Sequence, residues 1–240
     1  MQQVQFPTLR PLAQAPCTLP TTPPVLRLLE VGLGERSLSL QAVGGEIVHL
    51  QGGTPGLQLR LLALAAGHAD GSSGRCELLG HDVHALSAPA LRGLREACVG
   101  RVLAGDRLPD AATVLACVAQ PLQQQGLPYR DAVARAALEL DALGAATLAP
   151  RPPASLQPAE LQLALLARAT ALRPRLLVLQ HPETGLAPPA VEAVRLALWA
   201  LSSAFETCVL MSTAHPRLAA TADRCVDLDR AAAYRRPVLS

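Results

Sequence analysis

Short apolar runs broken by glycine and proline alternate along this chain with longer stretches in which apolar residues recur every three or four positions. Residues 37–43 and 46–50 (EIVHL) have strand composition and are separated by Gly44 and Gly45. A glycine and proline loop, 52–56 (GGTPG), follows, and 57–66 then has helical composition. The run LLVL, 176–179, is continuous rather than alternating, as in a strand buried on both faces, and CVLMS, 208–212, predicts another strand. Helices are expected over 129–144, 159–172 and from 188 to about 203, with proline and glycine at their boundaries. In the last of these, Val191, Val194, Leu198 and Leu201 form an apolar face, and the neighbouring Trp199 is expected in the core with them. Strands alternating with helices predict an α/β fold on a parallel sheet. Strand, glycine loop, helix is also the local plan of a phosphate-binding turn.

The ends have a different texture. Residues 1–24 hold Pro7, Pro11, Pro16, Pro20, Pro23 and Pro24 among glutamine and threonine, which predicts an extended tail, and 231–240 is expected to be peripheral. The span 25–230 between them carries the periodic pattern, without an internal repeat.

Composition sharpens this. With 240 residues, half of them hydrophobic, the chain can bury a sizeable core. All 21 cationic side chains are arginine, and neither lysine nor asparagine occurs. Schiff-base chemistry, a lysine general base and an intact P-loop lysine are therefore excluded. The single isoleucine, two tyrosines and two phenylalanines agree with a drift in codon usage, which leaves the same functional group missing. A net charge of +2 and five aromatic residues argue against a nucleic-acid partner. Cys17, Cys76, Cys98, Cys117, Cys208 and Cys225 are scattered without a C-x-x-C pair, so reduced thiols and no metal site are expected. The opening MQQVQFPTLR lacks the basic and apolar regions of a signal peptide. The longest charge-free stretch, 111–129, contains Pro121, Pro128 and four glutamines and does not read as a membrane span.

The segment ARATALRPRLLVLQHPETGLAP, 167–188, resembles the ATPase subunit of ABC transporters, where a signature helix precedes a buried strand and the Walker B acidic pair. The resemblance runs from about 26 to 230. Gly52 falls on the first Walker A glycine, LLALAAG (61–67) looks like the helix after the P-loop, and Ser73, Gly74 and Gly80 match the next turn and hairpin. LPDAATVLACVAQPL (108–122) is similar to the stretch after the Q-loop in the lipoprotein-release and macrolide-export branch, and Leu156, opening the signature, precedes position 180 by 24 residues. The resemblance implies a P-loop NTPase fold of the ABC type: a parallel-sheet core, an antiparallel β subdomain and a helical subdomain at about 90–165 within a nucleotide-binding domain, 25–230.

The positions that carry the family's chemistry are altered. Within Gly52, Gly53, Thr54, Pro55, Gly56, Leu57, Gln58 and Leu59, Pro55 replaces an inner glycine, Leu57 the glycine before the lysine, Gln58 the lysine and Leu59 the magnesium-binding hydroxyl. A one-residue shift puts Leu57 at the lysine and helps nothing. Gln180 and His181 stand at the Walker B aspartate and glutamate, Ala187 at the D-loop aspartate, Ala104 at the Q-loop glutamine and Ala214 at the switch histidine, with His215 beside it. The signature LSGGQ reads Leu156, Gln157, Pro158, Ala159, Glu160. One preorganised electrostatic group is worth roughly 10² to 10³ in rate, and here the lysine, magnesium ligands and carboxylate are all missing. His181 as a substitute base lacks a metal to organise phosphate.

These losses imply a catalytically inactive subunit with no cofactor, docked on a membrane permease at the cytoplasmic face of the plasma membrane. Residues 105–125 would line the groove that meets the permease. A homodimer, or a heterodimer with another ABC ATPase, fits the family's head-to-tail pairing, although Pro158 and Ala159 spoil the signature a partner would need. The alternative is an ATP-binding subunit, with ATP and magnesium, that powers export beside an active partner; a weaker one is an anion or nucleotide sensor using the amides of 52–58. Arg168 matches the arginine ending the signature-helix motif and is expected to support a helix end. His81 and His84 are expected to be surface residues, Arg235 and Arg236 a solvated terminus, and 123–125 (QQQ) either a polar loop near the groove or part of the interface there.

Overall fold

In the computed structural model, which describes residues 23–33, 36–68, 74–230 and 232–233, the continuous apolar runs gather in one sheet and the alternating ones in another. In chain order the strands are β1 (Leu26–Leu33), β2 (Arg36–Ala42), β3 (Ile47–Gln51), β4 (Arg75–Leu78), β5 (His81–Asp82), β6 (Val99–Val102), β7 (Leu176–Gln180), β8 (Cys208–Ser212), β9 (Arg224–Asp227) and β10 (Ala232–Ala233). The helices are α1 (Pro55–Ala65), α2 (Ala88–Cys98), α3 (Val114–Gln124), α4 (Tyr129–Ala142), α5 (Pro158–Thr170), α6 (Pro188–Phe205) and α7 (Pro216–Ala219). Strands β6, β7, β8, β3 and β9 form a parallel sheet in that order. Strands β10, β2, β1, β4 and β5 form an antiparallel sheet.

The central strands of the parallel sheet, β3, β7 and β8, feed two cores because successive side chains point to opposite faces. Leu177 and Leu179 of β7, with Val209 and Met211 of β8, pack with the buried faces of α3, α4, α5 and α6. Leu176 and Val178, with Cys208 and Leu210, pack with α1 and the inner face of the antiparallel sheet. Burial on both sides is why LLVL shows no alternation, whereas β4 alternates. Burial also pushes the thiols of Cys76 and Cys208 up to about 12, keeping them protonated and unreactive. Among the described residues no helix is long and apolar enough to cross a membrane.

Several elements differ from the sequence pattern. Helix α1 begins at Pro55, inside the expected loop, because Thr54 Oγ1 caps it by accepting from Leu57 N at 3.2 Å and proline suits the first turn. Strands β1, β4, β5, β6, β9 and β10 and helices α2, α3 and α7 are absent from the pattern-based assignment. Residue 199 falls one position past Leu198, about 100° round the helix, so Trp199 leaves the buried stripe and is 60% exposed; its expected place in the core is corrected. Of the segment 105–125, Val114, Cys117, Val118, Ala119 and Leu122 face the core, whereas Pro121 and Gln124 line a cleft beside the ends of α1 and α5; Gln123 and Gln124 end α3 rather than forming a loop. His81 and His84 are exposed, as expected. The first 22 residues of the proline-rich tail, including Cys17, together with Ser73, Arg235 and Arg236, lie outside the described residues.

Close approach fixes one glycine: a Cβ on Gly100 of β6 would lie 2.2 Å from the Ala169 carbonyl of α5. Gly100→Ala is expected to destabilise the chain by about 1–3 kcal/mol through this overlap. Gly93→Ala, in α2 with open space around it, is expected to stabilise by roughly 0.5–1 kcal/mol. Urea denaturation of the two variants measures both.

Candidate functional site

All five parallel strands run the same way, so their carboxyl ends meet along one edge, where open α/β sheets place ligands. The turn after β3 uses Gly52 (φ 73°) and Gly53 (φ 71°), both in the left-handed region that glycine adopts without cost. A Cβ on Gly52 would sit 2.3 Å from Asp229 Oδ2, so glycine is also required sterically. Gly53 N donates to Asp229 Oδ1 at 3.1 Å. The turn thus already holds a carboxylate of the chain itself, brought in by the segment after β9.

Gln58, at the position the resemblance gives to lysine, is buried and turns back on the loop, with Nε2 donating to Gly52 O at 2.9 Å. Its Oε1 is buried without a partner. Leu57 and Leu59 are half-buried against the core beneath. Thr54 is engaged as the α1 cap, and Gly56 is exposed.

Gln180 ends β7 and is buried. Its Oε1 accepts from Ala104 N at 3.1 Å, and its Nε2 donates to Pro55 O at 3.3 Å. One amide therefore ties the loop after β6 to the first turn of α1. His181 follows with φ 46°, its N donating to Ser212 O at 2.8 Å and its Nδ1 lying 3.5 Å from Glu183 Oε1. Glu183 Oε1 also accepts from Ala214 N at 2.9 Å, while Oε2 is buried without a partner. His215 caps α7; its N donates to Thr213 Oγ1 at 3.0 Å and its Nδ1 is buried without a partner.

The structure therefore brings together the loop 52–58, Ala104, Gln180, His181, Ala214 and His215. The segment Leu156, Gln157, Pro158, Ala159, Glu160 starts α5 near the loop after β7: Ala159 lies 3.8 Å from the Cβ position of Gly185, and Gln162 Nε2 donates to Pro182 O at 3.3 Å. Glu160 Oε2 accepts from Gln157 N at 2.8 Å, and the Arg151 guanidinium, 2.5 Å from Oε1, holds its carboxyl below the usual range. Among the described residues no group of three or more His, Cys, Asp or Glu side chains is placed to hold a metal. Two carboxylates were not read from the sequence. Glu183 was visible in HPET, three residues after Gln180, but Asp229 reaches Gly53 across 176 positions, which no local pattern signals.

No protein-family model matches the chain. An uncharacterized ABC transporter ATP-binding protein, YbbA, of Escherichia coli (strain K12) is 32% identical over 204 residues, 82% of this chain and 90% of the relative. The lipoprotein-releasing system ATP-binding protein LolD of Ruegeria sp. (strain TM1040) is 31% identical over 194 residues, 81% of this chain and 86% of its own length. Among solved structures, the dimeric bacterial ABC transporter cassette MJ0796 superposes with a TM-score of 0.78 at 20% identity, covering 88% of this chain and all of that one. The fold is that of an ABC ATPase cassette. The chain belongs to the family of ABC transporter ATP-binding proteins, and its relatives include the YbbA and LolD proteins.

Gln180→Leu removes both bonds of the bridge. A loss of about 1–2 kcal/mol in urea denaturation is expected, and the Ala104 amide is expected to lose exchange protection while the amides of β8 keep theirs.

Proposed function

We propose that this chain is a non-hydrolysing member of its family. It acts as a structural or regulatory subunit, docked through its nucleotide-binding-type domain (25–230) on a membrane permease at the cytoplasmic face of the plasma membrane. The observation that carries this proposal is Gln180. A neutral amide, already engaged at both its oxygen and its nitrogen, stands where the family resemblance expects the magnesium carboxylate.

The surroundings support the same reading. Magnesium takes hard oxygen ligands in an octahedral set, and here Leu59 has no hydroxyl, Thr54 is spent on the helix cap and Gln180 Oε1 on Ala104. Phosphate would meet Asp229 at the glycine turn and Glu183 beside His181, with glutamine in place of the family's lysine. These residues do not fit a magnesium nucleotide. At the head of α5, Pro158 and Ala159 replace the two signature glycines, so the chain offers a partner cassette a poor second half-site. The fold itself is complete, which suits a subunit that holds an assembly together. The remaining reading is a nucleotide-binding subunit working beside an active partner. It is favoured by the ATP-binding role for which YbbA is named and by the MJ0796 cassette having been solved bound to ADP and Pi.

Titration of the purified chain with fluorescent ATP, with and without magnesium, tests the proposal. No saturable magnesium-dependent binding and no phosphate release above buffer are expected; tight magnesium-dependent binding with turnover would overturn it in favour of the second reading. Affinity capture from native membranes is expected to bring down a permease, and recovery of the chain alone would refute the docking part.

A further inference from the structure

The side of α6 turned away from the core carries Glu192, Leu196, Trp199 and Ser203 at positions i, i+4, i+7 and i+11, one continuous stripe of the helix surface. Leu196 is 50% and Trp199 60% exposed. The polar members of the stripe are already engaged: Glu192 Oε1 accepts from Arg195 Nε at 3.0 Å, and Ser203 Oγ donates to Trp199 O at 2.7 Å. Leu196 and Trp199 therefore form an apolar patch between polar ends.

The chain ahead of β1 leaves the fold at the foot of this helix. Val25 N donates to Ala42 O at 2.8 Å, which places the exit beside the turn between β2 and β3. That turn leans on the end of α6: Ser202 Oγ donates to Gly45 O at 2.7 Å, and the Cβ position of Gly44 lies 3.0 Å from Glu206 O. From Glu206 back to Trp199 is about 10 Å along the helix axis. Residues 13–22 span about 30 Å at the 3.1 Å per residue of polyproline II, enough to bring 4–12 (VQFPTLRPL) onto the patch. In that segment Phe6, Leu9 and Leu12 recur every third residue, the turn of a polyproline II helix, with Pro7 and Pro11 between them. Its one charge is Arg10, and residues 1–24 hold no carboxylate, so it meets Glu192 and Glu206 without like-charge repulsion.

We propose that residues 4–12 dock in polyproline II form on the outer face of α6, with Phe6, Leu9 and Leu12 covering Leu196 and Trp199. Exposed aromatic rings recognise proline-rich segments because such a backbone is already extended and loses little conformational freedom on docking. Its carbonyls make no internal hydrogen bonds, so one is free to accept from the Trp199 indole N–H. A second copy of the chain is the poorer occupant: a stable interface needs about 800 Å² from each partner, whereas one tryptophan buries at most about 250 Å². The docked segment clips the antiparallel sheet, from which it emerges, to the helix packed on the opposite face of the parallel sheet. This contact is independent of whether the glycine turn binds nucleotide.

Trp199 is the only tryptophan in the chain, so the fluorescence of the full protein reports on this face alone. Acrylamide quenching is compared between the full chain and its variant carrying Phe6→Ser and Leu9→Ser, with circular dichroism checking that both are folded. The quenching constant is expected to rise about twofold or more in the variant, because removing two apolar anchors shifts the docking equilibrium by a factor of about ten or more. Gln5→Ser with Thr8→Ser, off the apolar face of the same segment, is expected to leave quenching as it is in the wild type. A wild-type indole quenched as freely as that of the anchor variant would overturn the proposal, as would an equal rise in the off-face variant. Protection that the anchor variant keeps would also overturn it, and its loss on dilution would assign the face to a second copy instead.

Discussion

The amide of Gln180 is the joint on which the carboxyl edge of this molecule depends. It stands at the end of a strand whose five residues are all buried, so its position is set by both cores rather than by any loop. From there it reaches the loop after β6 through Ala104 and the head of α1 through Pro55. Two segments that are distant in sequence are held by one neutral group able to accept at one atom and donate at the other. A carboxylate at the same place could accept from Ala104 but could not donate to Pro55. The bridge as built requires the glutamine that the family resemblance marks as a departure.

The electrostatics follow from that joint and from the composition. A chain without lysine has no compact ammonium to place among phosphates. Instead Gln58 folds back on the carbonyl of Gly52, while Asp229 supplies an internal carboxylate to Gly53. Arg95, Arg101 and Arg168 instead line a cleft at the other end of α1. The molecule thus keeps the cassette architecture while its glycine turn faces a carboxylate of the chain itself.

Much of the fold was legible in the sequence. The glycine loop, LLVL and CVLMS are locally distinctive, and burial on both faces makes their patterns continuous. The four-residue strands β4, β6 and β9 are too short to stand out from the loops around them, and α2 has no fully buried residue. Trp199 was misplaced because an apolar side chain next to a stripe is not on it. At the site, the altered positions could be named in advance, but the partners of Gln180, Gln58 and Gly53 could not. Those bonds span from 6 to 176 positions and exist only once the sheet aligns the strand ends.

The central claim is that the chain's own side chains occupy the glycine turn in place of a magnesium nucleotide. Backbone amide spectra of Gly53 and Ala104, recorded with and without millimolar magnesium ATP, test it most directly. The account predicts unchanged Gly53 shifts and an Ala104 amide that stays protected; saturable shifts at Gly53, accompanied by loss of Ala104 protection, would contradict it.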